Sequence, residues 1–191
     1  MEAAEQAQQF LKDKTLLSYY QDVLLEGLKL AQADAERGLL DDERTLRIRD
    51  TVAEIVDDLE SWEDPSASSP DETHGNAVPQ PTADANGTAV HELRVSEEWR
   101  TTKRVLCIPG LGRLDEAVAL IVAQLVEKQG IGARAESSDA LSISRIFSLD
   151  TKDVALVCIC YIENATAAQM RYAVRRLRRK APNAIILTAL I

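Results

Sequence analysis

A short glycine-rich segment, PGLGRLDE, has the residue types and spacing best suited to a ligand site. It covers residues 109–116 and follows an apolar run of strand length at residues 105–108. A strand that leads through glycines into a helix forms the ligand crevice of many α/β proteins, at the carboxyl edge of the sheet. We therefore expect ligand-binding residues in this turn, and the candidates are Gly110, Leu111, Gly112 and Arg113.

The chemistry of this turn is limited by what it lacks. In the dinucleotide pattern G-x-G-x-x-G, Asp115 stands where the third glycine belongs, and Asp115 and Glu116 put negative charge where a pyrophosphate would dock. The endings that define a phosphate loop and a hydrolase nucleophile elbow are missing. A dinucleotide site is thus disfavoured. Two readings stay open: a tight turn whose acids complement the helix dipole, or a site for some other ligand.

A second set of polar side chains follows the strongly apolar run at residues 154–161. Tyr161, Glu163 and Asn164 lie where a parallel sheet places ligands, opposite the glycine-rich turn. The simpler interpretation is a strand-end loop that caps the next helix, with Asn164 or Thr166 as the cap. Both interpretations stay open.

The helix that follows carries six cations within ten residues, and stacking aromatics are scarce apart from Tyr172. Cations stabilise the C-terminal end of a helix, and the remainder could be solvated or contact the acidic half of the chain. An anionic partner or membrane surface is the functional alternative, and nucleic acid is the least favoured. The residues concerned are Arg171, Arg175, Arg176, Arg178, Arg179 and Lys180.

Histidine and cysteine do not form a catalytic or metal-binding set. Cys107, Cys158 and Cys160 lie in apolar runs, whereas His74 and His91 lie in a polar stretch. We expect buried free thiols in a reducing cytosol, no metal site and no catalytic triad. The chain is accordingly not expected to be an enzyme.

Three segments with different charge must position these groups. Residues 1–62 form a helical, cap-like domain of net charge −8, in which Gly38 ends one helix and Asp41 or Asp42 begins the next. Residues 63–98 form an acidic Pro/Ser/Asp-rich flexible linker of net charge −7. Residues 99–191, of net charge +6, form an α/β domain.

The fold class follows from the alternation of elements in that last segment. Strands are predicted at residues 105–108, 131–136, 154–161 and 184–190, with helices at 114–129 and from Asn164 or Thr166 to Lys180. Such alternation predicts a Rossmann-like parallel sheet of about four strands flanked by helices, preceded by the small helical bundle. No apolar run is long enough to span a membrane.

Residues 119–138 and 154–190 resemble the cobalamin-binding α/β domain, and residues 16–59 are similar to the helical cap that precedes such domains. In that family the cobalt ligand is the histidine of D-x-H-x-x-G after the first strand. Here that place reads PGLGRLDE. The resemblance therefore implies the architecture of a cobalamin-binding protein, with no cofactor expected.

A more specific resemblance is to the soluble C-terminal region of transporters of the autoinducer-2 exporter family. It is carried by YYQDV at residues 19–23, AQADAERG at 31–38 and RRLRR at 175–179, and it covers residues 5–60 and 99–191. It implies a non-catalytic cytosolic regulatory or ligand-sensing module, cytoplasmic and membrane-associated through a parent or partner protein. The implied partners are the membrane portion of a transporter and a small ligand. The alternative is a stand-alone cobalamin- or nucleotide-type small-ligand-binding protein.

Overall fold

The structure, a computed structural model, describes residues 7, 9–64, 95–100, 104–162 and 165–191. In these ranges the chain is a mixed α/β protein whose four parallel strands are flanked by helices, which confirms the predicted fold class. The helices are α1 (Leu16–Tyr19), α2 (Glu26–Glu36), α3 (Asp42–Asp58), α4 (Arg113–Lys128) and α5 (Ala167–Lys180). The strands are β1 (Val105–Pro109), β2 (Ala133–Ala135), β3 (Leu156–Tyr161) and β4 (Ile185–Leu190).

The predicted linker lies almost wholly outside the described residues, so the domain boundaries stay predictions. None of the helices in the described ranges combines the length and the apolar character that crossing a bilayer requires.

The sheet has the strand order β2-β1-β3-β4, with β1 and β3 as the central pair. In this pair Cys107 lies beside Cys158, and Pro109 beside Cys160. Because β2 and β4 add to opposite sides of the pair, crossovers of one hand carry α4 and α5 to opposite faces of the sheet. Alternate side chains of β1 and β3 therefore enter two cores, one under each helix.

Three helix ends lie where the sequence predicts them, at Gly38, Asp41 and Thr166. The Asp41 carboxylate accepts a hydrogen bond from Arg44 N at 2.8 Å and caps the start of α3. Gly38, just after the end of α2, has the left-handed backbone conformation, with φ of 72°. Thr166 caps α5, because its hydroxyl accepts from Gln169 N at 3.2 Å. One feature was not predicted: a π-helical stretch, Tyr20–Leu25, joins α1 to α2.

The N-terminal helices pack against α4 and share its core. A buried hydrogen bond runs from the Tyr20 hydroxyl to Gln124, and the Gln124 amide donates to the carbonyl of Val56. At the end of α4, Lys128 Nζ donates to the carbonyls of Glu60 at 2.5 Å and Trp62 at 2.6 Å. This short helical region has little core of its own, and α4 supplies the apolar surface that it requires.

Strand β4 forms one edge of the sheet and is the least covered strand. Ile185, Leu187 and Leu190 are exposed large apolar residues. By contrast β1 is buried along its whole length. The candidate site therefore lies in the well-covered half of the sheet, at the carboxyl ends of the central pair.

Candidate functional site

The carboxyl ends of β1 and β3 lie side by side, as the sequence predicts for neighbouring parallel strands. Gly110 N donates to the carbonyl of Cys160 at 2.9 Å, so the pairing continues one residue beyond β1. The glycine turn, defined here as residues 110–113, then leads directly into α4. This turn and Ile162 after β3 form the edge at which α/β sheets bind ligands.

Asp115 closes this edge from inside. One carboxylate oxygen accepts from Leu111 N at 2.7 Å and Gly112 N at 3.3 Å, and the other accepts from Ile162 N at 2.8 Å. The side chain is only 4% exposed. A single carboxylate thus ties the glycine turn to the end of β3.

The Asp115 carboxylate takes the place that a bound anion would occupy at the start of a helix. Turns of this kind bind phosphate through free backbone N–H groups, and here Leu111 and Gly112 already donate to Asp115. Burial raises the pKa of the Asp115 carboxyl, and the three backbone donors oppose that rise. The turn is therefore filled by the chain's own acid, which counts against phosphate binding by these two backbone N–H groups.

Gly110 is required by packing against Tyr161. A Cβ at position 110 would lie 1.9 Å from Cε1 of the Tyr161 ring, far inside contact distance. Tyr161 is fully buried in the core beneath α5, and its buried hydroxyl has no hydrogen-bond partner among the described residues. Burial and the nearby Asp115 raise the pKa of this phenol. Gly110 and Tyr161 thus form the floor behind the turn rather than a ligand-contacting surface.

A cleft of about 440 Å³ opens between the glycine turn and the corner that joins α2 to α3. We call it the carboxyl-edge cleft. The turn contributes Leu111, Gly112 and Arg113, and Ile162 closes the far side. The helical corner contributes Gln32, Ala35, Glu36, Leu40, Asp42 and Thr45.

The polar groups of the cleft include hydrogen-bonded and charged side chains. Gln32 Nε2 donates to Glu36 at 3.0 Å, and the Thr45 hydroxyl donates to the carbonyl of Asp41 at 2.9 Å. The described lining carries one cation, Arg113, and the carboxylates of Glu36, Asp42 and Asp115. A lining with both signs of charge and an excess of acid fits a small neutral or zwitterionic polar molecule better than a polyanion.

Glu116, next to Asp115, links three elements instead of facing a ligand. One of its oxygens accepts from Ser138 N at 2.8 Å, after β2, and the other lies 3.6 Å from the Arg49 guanidinium on α3. Arg49 also pairs with Asp50 at 3.0 Å. Both acids that the sequence assigns to helix-dipole stabilisation therefore have specific structural partners.

The structure separates the predicted ligand-binding residues into three groups. Leu111, Gly112 and Arg113 line the carboxyl-edge cleft, whereas Gly110 and Tyr161 lie behind it. Glu163 and Asn164 lie outside the described residues. The residues of the α2–α3 corner were missed, because no local motif marks side chains that reach the site from a distant segment.

The predicted cationic residues lie on the outer side of α5, on the opposite face of the sheet from α4. Arg171, Arg175, Arg178 and Arg179 are exposed, and Arg176 and Lys180 are half-buried. Arg178 donates to the carbonyl of Ala184 at 2.7 Å and so holds the start of β4. The remaining cations of α5 face outward or toward the loop between β2 and β3.

The three cysteines are free thiols, as predicted. Cys107 and Cys160 are buried and Cys158 is partly covered, with 4.0 Å between the sulfurs of Cys158 and Cys160. The neighbouring thiols and burial raise the pKa of both Cys158 and Cys160. No group of metal-ligating side chains occurs within the described part of the chain.

The chain was compared with protein families, curated proteins and solved structures. No protein-family model matches the chain, and no curated protein or solved structure is significantly similar to it.

Proposed function

We propose that this chain is a non-catalytic regulatory or ligand-sensing module that binds a small polar molecule in the carboxyl-edge cleft. The main support for the proposal is that the two walls of the cleft come from different regions of the chain. One wall is the glycine turn of the sheet, and the other is the α2–α3 corner of the helical region. A molecule bound between them would fix their relative position, which is how a ligand changes the population of conformations that a partner meets.

The state of the glycine turn supports binding without reaction. Asp115 holds the turn in place through three backbone N–H groups, so the turn is organised before any ligand arrives. Among the described residues, the cleft lining includes no histidine, cysteine or serine, which are common nucleophiles and bases in catalytic sites. Small polar ligands are bound in preformed clefts of this size.

The resemblance to the C-terminal region of autoinducer-2 exporter family transporters supplies the proposed setting. In that setting the module is cytoplasmic, and it joins the membrane through a parent or partner protein. Reading the coding sequence upstream of Met1 tests the setting directly, because helices of membrane-spanning length should be encoded there. Their absence, together with no binding to a co-expressed transporter membrane portion, would contradict it.

Ligand binding in the cleft is tested with a thermal-shift panel of neutral and zwitterionic polar molecules, namely amino acids and monosaccharides. We expect at least one to raise the unfolding temperature of the native chain. Arg113→Gln should abolish that rise, whereas Arg145→Gln, at an exposed arginine outside the cleft, should preserve it. A rise that both variants retain would place binding elsewhere, and no rise across the panel would count against the proposal.

The alternative function is a stand-alone cobalamin- or nucleotide-type small-ligand-binding protein. The Rossmann-like sheet with a cleft at its carboxyl edge favours it, and the filled turn at Asp115 counts against its nucleotide form. A visible-absorbance titration with cobalamins separates it from the main proposal. Saturable, stoichiometric binding would establish the alternative and overturn the main proposal.

A further inference from the structure

The face of the molecule formed by α5 and the β2–β3 loop combines projecting apolar side chains with cations. Phe147 is 80% exposed and Ile143 is 75% exposed, the highest values among the large apolar residues of the described chain. Both lie on the loop that packs beside α5. We call this surface the α5 face, defined by Ile143, Phe147, Tyr172, Arg175, Arg176, Arg179 and Lys180.

Hydrogen bonds join the two halves of the α5 face into one surface. Lys180 Nζ donates to the carbonyl of Phe147 at 2.8 Å, and Arg176 donates to the carbonyl of Ser142 at 3.1 Å. The Arg176 guanidinium also donates to the Tyr172 hydroxyl at 2.9 Å and lies 5.4 Å from the centre of that ring. The loop backbone that carries Ile143 and Phe147 is thus held beside the cations.

The positive charge of this face is not neutralised within the described structure. Helix α5 contains six cations and no acidic residue. No ion pair links any of them to a carboxylate of the described residues, whereas Arg145 on the adjoining loop pairs with Asp139 at 3.5 Å. Among the described residues, the exposed cations of α5, such as Arg175 and Arg179, therefore have no carboxylate partner.

We propose that the α5 face docks on the surface of an anionic lipid bilayer. Cations beside the headgroups attract anionic lipid, and side chains such as Phe147 and Ile143 gain free energy by entering the boundary between headgroups and acyl chains. Nucleic acid would use the charge but would leave the projecting Ile143 in water. The proposal stands apart from the carboxyl-edge cleft, which lies at a different edge of the fold.

The charge distribution of the chain favours one orientation of the molecule on the bilayer surface. The chain carries a net charge of −9, and the excess of acid lies in residues 1–98. An anionic surface repels that acidic part and attracts α5, so the helical region should point away from the bilayer. Binding should accordingly weaken as salt is added.

The test is flotation of the full chain with vesicles of phosphatidylcholine alone or with about one third phosphatidylglycerol, at low and high salt. We expect binding to the anionic vesicles only, reduced by salt. Arg175→Gln/Arg179→Gln should weaken it by about tenfold or more, because each basic residue near the surface contributes to the attraction. Ile143→Ser/Phe147→Ser should weaken it by a similar factor through lost insertion.

Matched variants on α2, the α2–α3 loop and α3 control for charge and apolar exposure. Arg44→Gln/Arg47→Gln removes two exposed cations of α3, and Leu30→Ser/Leu39→Ser removes two exposed leucines. Both controls should float with the vesicles as the native chain does, and circular dichroism should show all variants folded. Equal binding to neutral vesicles, or native-like binding by Arg175→Gln/Arg179→Gln, would overturn the proposal. So would tighter binding to a single-stranded oligonucleotide that Ile143→Ser/Phe147→Ser leaves unchanged.

Discussion

The two helices that cover the sheet differ in the contacts of their charged residues, although Arg176, Arg178 and Lys180 of α5 also donate to backbone carbonyls. On the α4 side, Asp115, Glu116 and Lys128 all hydrogen-bond to backbone groups of other segments. On the α5 side, Arg175 and Arg179 are exposed and pair with no described carboxylate. These α4 charges help to assemble the fold, whereas Arg175 and Arg179 of α5 are exposed to solvent.

This difference shows how to separate structural from functional charges in an α/β protein. A charged side chain that satisfies backbone N–H or carbonyl groups stabilises the fold, and its removal leaves buried groups unpaired. A charged side chain in water contributes little to stability. Removing a charge on the α4 side should therefore lower the free energy of unfolding more than removing an exposed charge on the α5 side.

The largest effect is expected from Gly110→Ala. The added methyl group would overlap the Tyr161 ring, and relief requires movement of buried β1 or β3. We expect a loss of about 3 kcal/mol in the free energy of unfolding, measured by urea denaturation. Gly112→Ala is the matched control, because a Cβ there meets nothing within 4 Å, and it should cost less than about 1 kcal/mol. Equal costs for both would mean that Tyr161 does not occupy the space behind the turn.

Asp115→Asn should have the next largest effect. An asparagine keeps one acceptor oxygen and turns its NH₂ group toward the remaining backbone donors, so at least one N–H at the turn or at Ile162 loses its partner. A loss of about 2 kcal/mol in the free energy of unfolding is expected. Asp139→Asn, at an exposed acid, should change it by less than about 0.5 kcal/mol. Indistinguishable stabilities would show that the carboxylate does not hold the turn.

Tyr20→Phe removes the hydroxyl that joins the helical region to α4 and leaves the Gln124 oxygen without this donor. Loss of one buried hydrogen bond should lower the free energy of unfolding by about 1 kcal/mol. In Tyr20→Phe/Gln124→Leu the two changes should be non-additive, because both remove the same contact. Additive losses in urea denaturation would argue against a direct hydrogen bond.

The smallest effect is expected from Arg175→Gln on α5, within about 0.5 kcal/mol of the native chain. The equivalent change on the other side, Lys128→Gln, removes donors to the carbonyls of Glu60 and Trp62 and should cost about 1 kcal/mol. Urea denaturation of these two variants compares the contribution of one cation on each covering helix to the free energy of unfolding. A larger loss from Arg175→Gln would show that α5 charge stabilises the fold and would remove the contrast.

Much of the fold was predictable because local signals and the global fold agree. The apolar runs of β1 and β3, the cap at Asp41 and the αL glycine at position 38 each specify an element or its end. The parallel sheet follows from their alternation. What the sequence could not show is the side on which the helical region packs, since nothing local links Tyr20 to Gln124 across about a hundred residues.

The site was predictable at the level of the sheet edge and not at the level of its groups. The glycine turn lies where the pattern predicts it. However, Gly110 leaves room for the Tyr161 ring, and the Asp115 carboxylate accepts hydrogen bonds from the N–H groups of the turn. Both facts depend on contacts between separate strands, which spacing alone cannot reveal. The α2–α3 corner enters the cleft only through tertiary packing.

The π-helical stretch Tyr20–Leu25 has a consequence for insertions and deletions in this chain. A π-helical turn holds about one residue more than an α-helical turn, so the stretch is equivalent to a single inserted residue within a longer helix. It also lets the adjacent Tyr19 and Tyr20 both be buried. Deleting one residue here should restore a regular helix and leave α2 in register, whereas the same deletion in α3 would turn its apolar face by about 100°. We therefore expect this stretch to tolerate a deletion of one residue better than α3 does.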